Sequence, residues 1–492
     1  MQIATSVYAI LVAFFYYKDR LLFNRLWVVQ WARLIVCRVP LKLTLLILSF
    51  VYSVSLSAVI ILRHVKGETG ADLAIFVQAL WNSTRGDFLY SSIKDGICLL
   101  GDHVSPVLVL LVPFYSICPR PELLLILQAF ATGSCVYLVG ILAKDKLERN
   151  GYAVLFALMF FFYLKARMVA TIEDFHPEVL VEPFMILAFF YLEKGAFWPF
   201  LASLILVISG KENMLGISFA LGIYAFAFKK DPWRFIGFAV AILSTGLFLF
   251  EYKWLMPHLL NGQTYAYSYY TDVTHAIFSA AGARETLRYV FGMYSPLAFL
   301  PFLHFPTLFL TFPILLQNIL SSNETMRSFN YHYTAGLHGF LFISSIYAFH
   351  SLTRKYAWLS RQQPFFMGLV FYLSLLCSGA SEYFYFWSTS KIVPAYSQGI
   401  ADKLKEIPSQ FSVLADGRFV FSVIHRKHFS FLDNKTPPNL ETLKKYGFDY
   451  VIFDKARWRA SEVSVPQALS ALKELGYWLE FEEGSFCIFK KI

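Results

Sequence analysis

Long apolar runs alternate with short polar connections from residue 41 to residue 378. They fall at about 41–62, 121–143, 151–164, 179–193, 196–209, 213–228, 235–256, 291–306, 307–320, 337–352 and 365–378. A helix of about 20 apolar residues crosses the hydrocarbon core of a bilayer, so these runs predict an α-helical polytopic membrane protein with eleven spans. The count becomes twelve if the apolar residues 2–17 also cross; they otherwise form an interfacial helix. The piece 105–118 is bounded by Ser105-Pro106 and by Pro119 and Pro121, and is too short to cross. It reads as a dipping or interfacial helix. Pro306 is expected to break the chain between two short spans, 291–306 and 307–320.

Beyond about residue 390 the apolar runs shorten to strand length: Phe411 to Leu414, Phe419 to Ile424, Tyr450 to Phe453 and Phe486 to Phe489. A helical stretch from Pro466 to Leu475 lies between the last two. That alternation predicts a small α/β domain outside the membrane. The domains expected are an N-terminal apolar or amphipathic segment 1–40, a transmembrane domain 41–389 with its first outer loop at 63–104, and the α/β domain 390–492.

Composition agrees with the pattern. The chain of 492 residues is 57% hydrophobic and 15% charged, with a mean hydropathy of +0.53, far too apolar for a soluble protein of this length. The net charge of +10 raises the question of nucleic acid. The basic residues sit in short loops, however, where the positive-inside rule puts them, so no nucleic-acid partner is expected. Lys18, Arg20, Arg25, Arg33 and Arg38 precede the first span, and Lys42 stands at its start. Putting them in the cytoplasm also puts the loops around Lys144, Lys229 and Arg354 there, and leaves the C-terminal domain outside. Six cysteines without a C-x-x-C pair read as small core residues.

The loops on the outer side of this topology carry most of the unusual chemistry: Asp72, Asp102, His103, Glu173, Asp174, His176, Glu178, Lys211, Glu212, Arg284, Arg288, Arg327, His332 and Glu382. Carboxylates near a membrane surface can act as general bases, and Arg or Lys beside them can bind a phosphate. The set suits a phospholipid-like substrate in the bilayer. Each residue also has a plain reading. Asp72 could cap the helix that starts near Leu73, and Asp174 and Glu178 could solubilise a loop end. Lys211-Glu212 lies between two apolar segments, where an ionisable pair is costly unless functional or mutually paired. Asp102, His103, Asp174, His176 and Glu178 are acceptable ligand types for Mg²⁺ or Mn²⁺, with Asp102, Asp174 and His176 the first candidates, although no spacing defines a site. There is no P-loop, H-E-x-x-H or G-x-S-x-G motif.

Several strings resemble one known family. They are Ala71-Asp72-Leu73-Ala74-Ile75-Phe76-Val77-Gln78-Ala79-Leu80-Trp81, Gly101-Asp102-His103-Val104-Ser105-Pro106, Asp174-Phe175-His176-Pro177-Glu178, Gly210-Lys211-Glu212-Asn213 and Tyr331-His332-Tyr333. Their order and spacing, over roughly residues 40–350, resemble a prokaryotic predicted membrane protein family, domain of unknown function 2079, grouped with the GT-C glycosyltransferases. Ala71 and Ala74 stand where that family would have Phe and Gly around the acid. The resemblance implies a GT-C-like multi-span fold with a catalytic acid soon after the first span, the place Asp72 occupies. It also implies a sugar donor carried on polyprenyl phosphate.

On that reading Asp72 deprotonates the acceptor hydroxyl. Asp102, His103, Glu173, Asp174, His176, Glu178, Lys211, Glu212, Arg288, Arg327 and His332 bind donor, acceptor or an ion. Asp72, Asp102, Asp174 and His176 are expected to converge on one cavity open to the outer leaflet. The expected location is the prokaryotic cytoplasmic membrane. Two other readings remain: a transporter or flippase of a lipid-linked substrate, and a non-catalytic scaffold.

Overall fold

The computed structural model describes residues 39–260, 270, 273, 279–329, 331–378, 396–432, 443–444, 447–456 and 465–492. Residues 2–17, most of the basic N-terminal flank and Glu382 lie outside them. Helix dominates, because the apolar runs satisfy their own backbone groups only as helices. Among the described residues three helices are long and apolar enough to cross a membrane: Leu41–Val65, Pro121–Leu147 and Trp233–Leu259. A fourth, bent by 47°, joins Asn150–Phe162 to Leu164–Thr171. The shorter apolar helices Phe197–Ile208, Met214–Phe228, Phe305–Leu320 and Gln363–Cys377 fall on the runs 196–209, 213–228, 307–320 and 365–378 but are below span length, and Val107–Ile117 falls on the short piece 105–118.

The chain divides into two compact units. One holds residues 1–60, 127–252 and 266–390; the other holds 61–126, 253–265 and 391–492.

In the first unit, helix Ala335–Lys355 is buried without interruption from Ala335 to Phe349. An apolar surface all round the helix is what a central helix requires. It packs against Glu182–Lys194, which packs in turn on Phe197–Ile208. Met214–Phe228 and Trp233–Phe250 form a tight hairpin. A Cβ on Gly222 would stand 2.7 Å from the backbone of Gly237 and Ala241, and one on Gly237 would stand 2.6 Å from the backbone of Gly222 and Phe226. Small residues let apolar helices gain dispersion contacts that hydrophobicity alone cannot supply in lipid.

The expected span 291–306 is not a helix along its length. Helix Ala280–Tyr294 stops, and short 3-10 turns follow at Ser295–Leu297 and Leu300–Leu303. Pro296 and Pro301 cannot supply helical N–H groups, and Ala298 and Phe299 take left-handed backbone conformations. Pro306 sits in the first turn of the next helix rather than dividing two spans.

In the second unit the C-terminal segment builds a five-stranded sheet in the order Phe429–Leu432, Val413–Asp416, Tyr450–Asp454, Phe486–Lys491, Tyr477–Glu483. The first three strands are parallel and the last two antiparallel. Val413–Asp416 and Tyr450–Asp454 are buried throughout, as inner strands covered on both faces must be. Helix Val465–Glu474 packs Ala468 and Leu472 into this core. The run Phe419 to Ile424, expected as a strand, is instead a 3-10 turn and the short helix Val420–Val423. The Asp416 side chain starts that turn by accepting from the Arg418 backbone N–H.

Helix Ala71–Ser83 belongs to the same unit. Fully buried Gln78 donates to the carbonyls of Arg426 and Lys427, and its Oε1 accepts from Ser91 and Ser92. Ser92 in turn exchanges hydrogen bonds with the backbone of Phe429 on the edge strand.

Candidate functional site

A glutamine inside an apolar span shapes the site in the first unit. Gln128 is buried on helix Pro121–Leu147, where an unsatisfied amide would be costly. Its Oε1 accepts from the His176 backbone N–H at 2.8 Å, and its Nε2 donates to the Asp174 carbonyl at 3.1 Å. This pins the loop between Leu164–Thr171 and the short helix Pro177–Leu180. The loop cannot run on as helix, because Pro177 restricts His176 and then opens the next helix.

Pinned in this way, the loop gathers acids and imidazoles. His332 Nδ1 lies 3.2 Å from Glu173 Oε2, and His176 Nε2 lies 3.6 Å from the same oxygen. The two imidazole rings stack with centroids 3.6 Å apart. His332 Nε2 is 3.8 Å from Glu178 Oε1, which also faces Lys211 Nζ at 3.6 Å. Asn318 holds the His332 segment by donating to the Tyr333 carbonyl. Gly210 admits Lys211: a Cβ there would stand 2.6 Å from Val181. Lys211 therefore reaches across to Glu178 and not simply to its neighbour Glu212, as the sequence suggests.

The cluster is ionised in a defined way. Burial alone would raise Glu173, but hydrogen bonds to His176 and His332, and their charge in acid, hold it at about 2. Burial also opposes charge on Glu178, yet Lys211, His332 and His176 hold it at about 2. Burial and the adjacent His176 push His332 down to about 4, against the pull of Glu173 and Glu178. At neutral pH the carboxylates are charged and His332 is neutral, the form that ligates metals. Glu173, His176 and His332 each offer a ligand atom, all within 4.8 Å of one another.

Beside this cluster a cavity of about 650 Å³ opens between apolar helices. Leu215, Phe219, Phe248 and Pro313 line its body, and Glu212, Asn213 and Gln317 its polar end. Tyr270 lines it too; burial pushes its phenol up to about 12, and the Lys211 charge pulls the other way.

Arg327 is buried and paired with Glu285 at 3.3 Å, while Arg288 is exposed on helix Ala280–Tyr294. Asp174 contributes its carbonyl to Gln128. Asp72, Asp102 and His103 belong to the second unit. There Asp72 is exposed in the first turn of Ala71–Ser83. Asp102 is buried and paired with Lys94 at 2.8 Å, and His103 ends the turn that carries it.

Two functional-looking groups escape the sequence reading. Gln128 is one, although a lone amide in the run Leu123 to Phe130 is a usable signal. The other is a pair, His338 Nδ1 and Glu182 Oε1 at 2.7 Å, with both side chains buried between two helices. Each looks like the end of an apolar run, so only the packing reveals the partner.

A family model described as Predicted membrane protein (DUF2079) matches residues 67–485. No curated protein matches the chain.

Proposed function

The chain belongs to the DUF2079 family of predicted membrane proteins, and on that premise we propose that it is an inverting GT-C-type glycosyltransferase with eleven spans. Its donor is a sugar carried on polyprenyl phosphate. The reaction takes place at the non-cytoplasmic face of a prokaryotic cytoplasmic membrane. The observation that carries this reading is the cavity: apolar walls for an isoprenoid tail, and an ionisable end at Glu212 and Tyr270, within reach of the Lys211 charge, for the phosphate. An amphiphile with a long tail and an anionic head needs that combination.

Lys211 stabilises the departing lipid phosphate by direct charge. Asp72, exposed in the first turn of the helix after the first span, takes the acceptor proton. Inversion follows because such a base activates the acceptor for a single displacement at the anomeric carbon. The new glycosidic bond forms as the sugar–phosphate bond breaks, and the electron pair leaves on the phosphate oxygen. The experiment is release of polyprenyl phosphate from the sugar-charged lipid in proteoliposomes. No turnover with any such donor would contradict the reading.

One observation favours a transporter instead. The His338–Glu182 pair is sealed between helices, where a carrier keeps its ionisable groups. Donor movement without sugar release would mark that outcome.

A further inference from the structure

We propose that Glu173, His176 and His332 bind a divalent transition-metal ion of the Zn²⁺ type, with Glu178 and Lys211 beside its open face. The ion's role as countercharge to a lipid phosphate rests on the glycosyltransferase reading; its presence does not.

The donor spacing supports the ligand set. Metal–ligand bonds of about 2.0–2.2 Å in a tetrahedral site put neighbouring donor atoms about 3.3–3.5 Å apart. Glu173 Oε2 lies 3.2 Å from His332 Nδ1 and 3.6 Å from His176 Nε2. All three ligand atoms fall within 4.8 Å of one another, so a small tilt of the stacked rings brings them onto one ion. The loop is already held for it, because Gln128 fixes His176 through its backbone.

A second observation is independent of that spacing. Glu178 is 3% exposed, and its Oε2 is buried without a hydrogen-bond partner among the described residues. A buried carboxylate oxygen left in that condition is costly. A cation held by the adjacent imidazoles would balance it. Glu173 and Glu178 bring two negative charges, and Lys211 returns one. An anionic phosphate would be repelled from such a cluster unless a further cation were bound.

The donors also choose the metal. Two imidazoles and one carboxylate suit borderline ions such as Zn²⁺, whereas Mg²⁺ prefers oxygen donors and keeps its waters. This ligand set shares His176 with the one suggested by the sequence, and Asp102 is paired with Lys94.

The test uses the full chain in detergent, stripped with chelator and titrated with Zn²⁺ alone or Mg²⁺ alone. Retained metal is measured by mass spectrometry after desalting. We expect about one Zn²⁺ per chain and no retained Mg²⁺. Glu173→Gln and His332→Gln should each weaken Zn²⁺ binding about 10-fold or more. Zn²⁺ retention equal in wild type and the Glu173→Gln/His332→Gln double variant overturns the site. If those variants do not fold, Co²⁺ added to wild type decides. A low-symmetry visible spectrum supports the site, and the spectrum of free aqueous Co²⁺ overturns it. Sugar transfer that persists in fully stripped protein without metal uptake would sink this inference and leave the transferase reading standing. Metal uptake without any transfer would do the reverse.

Discussion

Lys211 Nζ faces Glu178 Oε1 at 3.6 Å, with the two side chains only 12% and 5% exposed. The pair joins the short helix Pro177–Leu180 to the turn before helix Met214–Phe228, and the nearby imidazoles lie against Glu178. Removing one partner strands the other, so Lys211→Met should cost roughly 3–5 kcal/mol. Adding Glu178→Gln should restore much of that loss, since no bare charge remains. Thermal melting in detergent measures both. Equal stability of Lys211→Met and wild type would mean the pair contributes nothing to the fold.

Gly222 and Gly237 predict a second stability effect. Their helices touch backbone to backbone, and a Cβ at either position would stand 2.6–2.7 Å from main-chain atoms. Rotamer changes cannot relieve that clash. Gly237→Ala should destabilise by about 1–3 kcal/mol, the usual cost of overpacking. Gly246→Ala on the same helix meets nothing within 4 Å and serves as the control. Matching melting temperatures for the two variants would refute the close approach.

Much of the fold is legible in the sequence because lipid imposes a simple rule. A backbone in hydrocarbon must be helical, so apolar length maps onto helix position. Leu41–Val65, Pro121–Leu147 and Trp233–Leu259 follow from that rule. The rule fails where proline and left-handed residues break a run, as at Pro296, Ala298 and Phe299. It also says nothing about which loops meet. His332 and Glu173 are 159 residues apart, and only tertiary packing brings them within 3.2 Å. Gln78 was visible as part of a familiar string, but its bonds to Arg426 and Lys427 depend on the fold of a distant segment.

Acid should loosen the buried cluster. His332 is depressed from 6.5 to about 4, so between those values the unfolded chain holds a proton that the folded chain refuses. Stability must therefore fall as pH drops from 6.5 toward 4. Glu173 and Glu178, held at about 2, add a further loss below pH 4.5. The His332 contribution at pH 4.5 is on the order of 2 kcal/mol. His332→Gln should flatten the melting-temperature slope between pH 7 and 4.5 relative to wild type. An unchanged slope would show that His332 does not titrate in this way.

The proposed orientation makes the C-terminal domain extracytoplasmic. A single cysteine at exposed Ser409, in a background without the native cysteines, should react with a membrane-impermeant maleimide in intact cells. Labelling only after lysis would reverse the topology and move the proposed site to the cytoplasmic side.

Sugar release from a polyprenyl-phosphate donor, measured for wild type and Asp72→Asn in proteoliposomes, tests the central claim most directly. Asp72 is exposed, so the nearly isosteric amide should leave the fold intact while removing the proton acceptor. A general base typically contributes a rate factor of about 10²–10⁴, and the variant should lose that much. Wild-type turnover together with a near-silent Asp72→Asn of unchanged melting temperature is the result the account predicts. Full turnover by Asp72→Asn would contradict it.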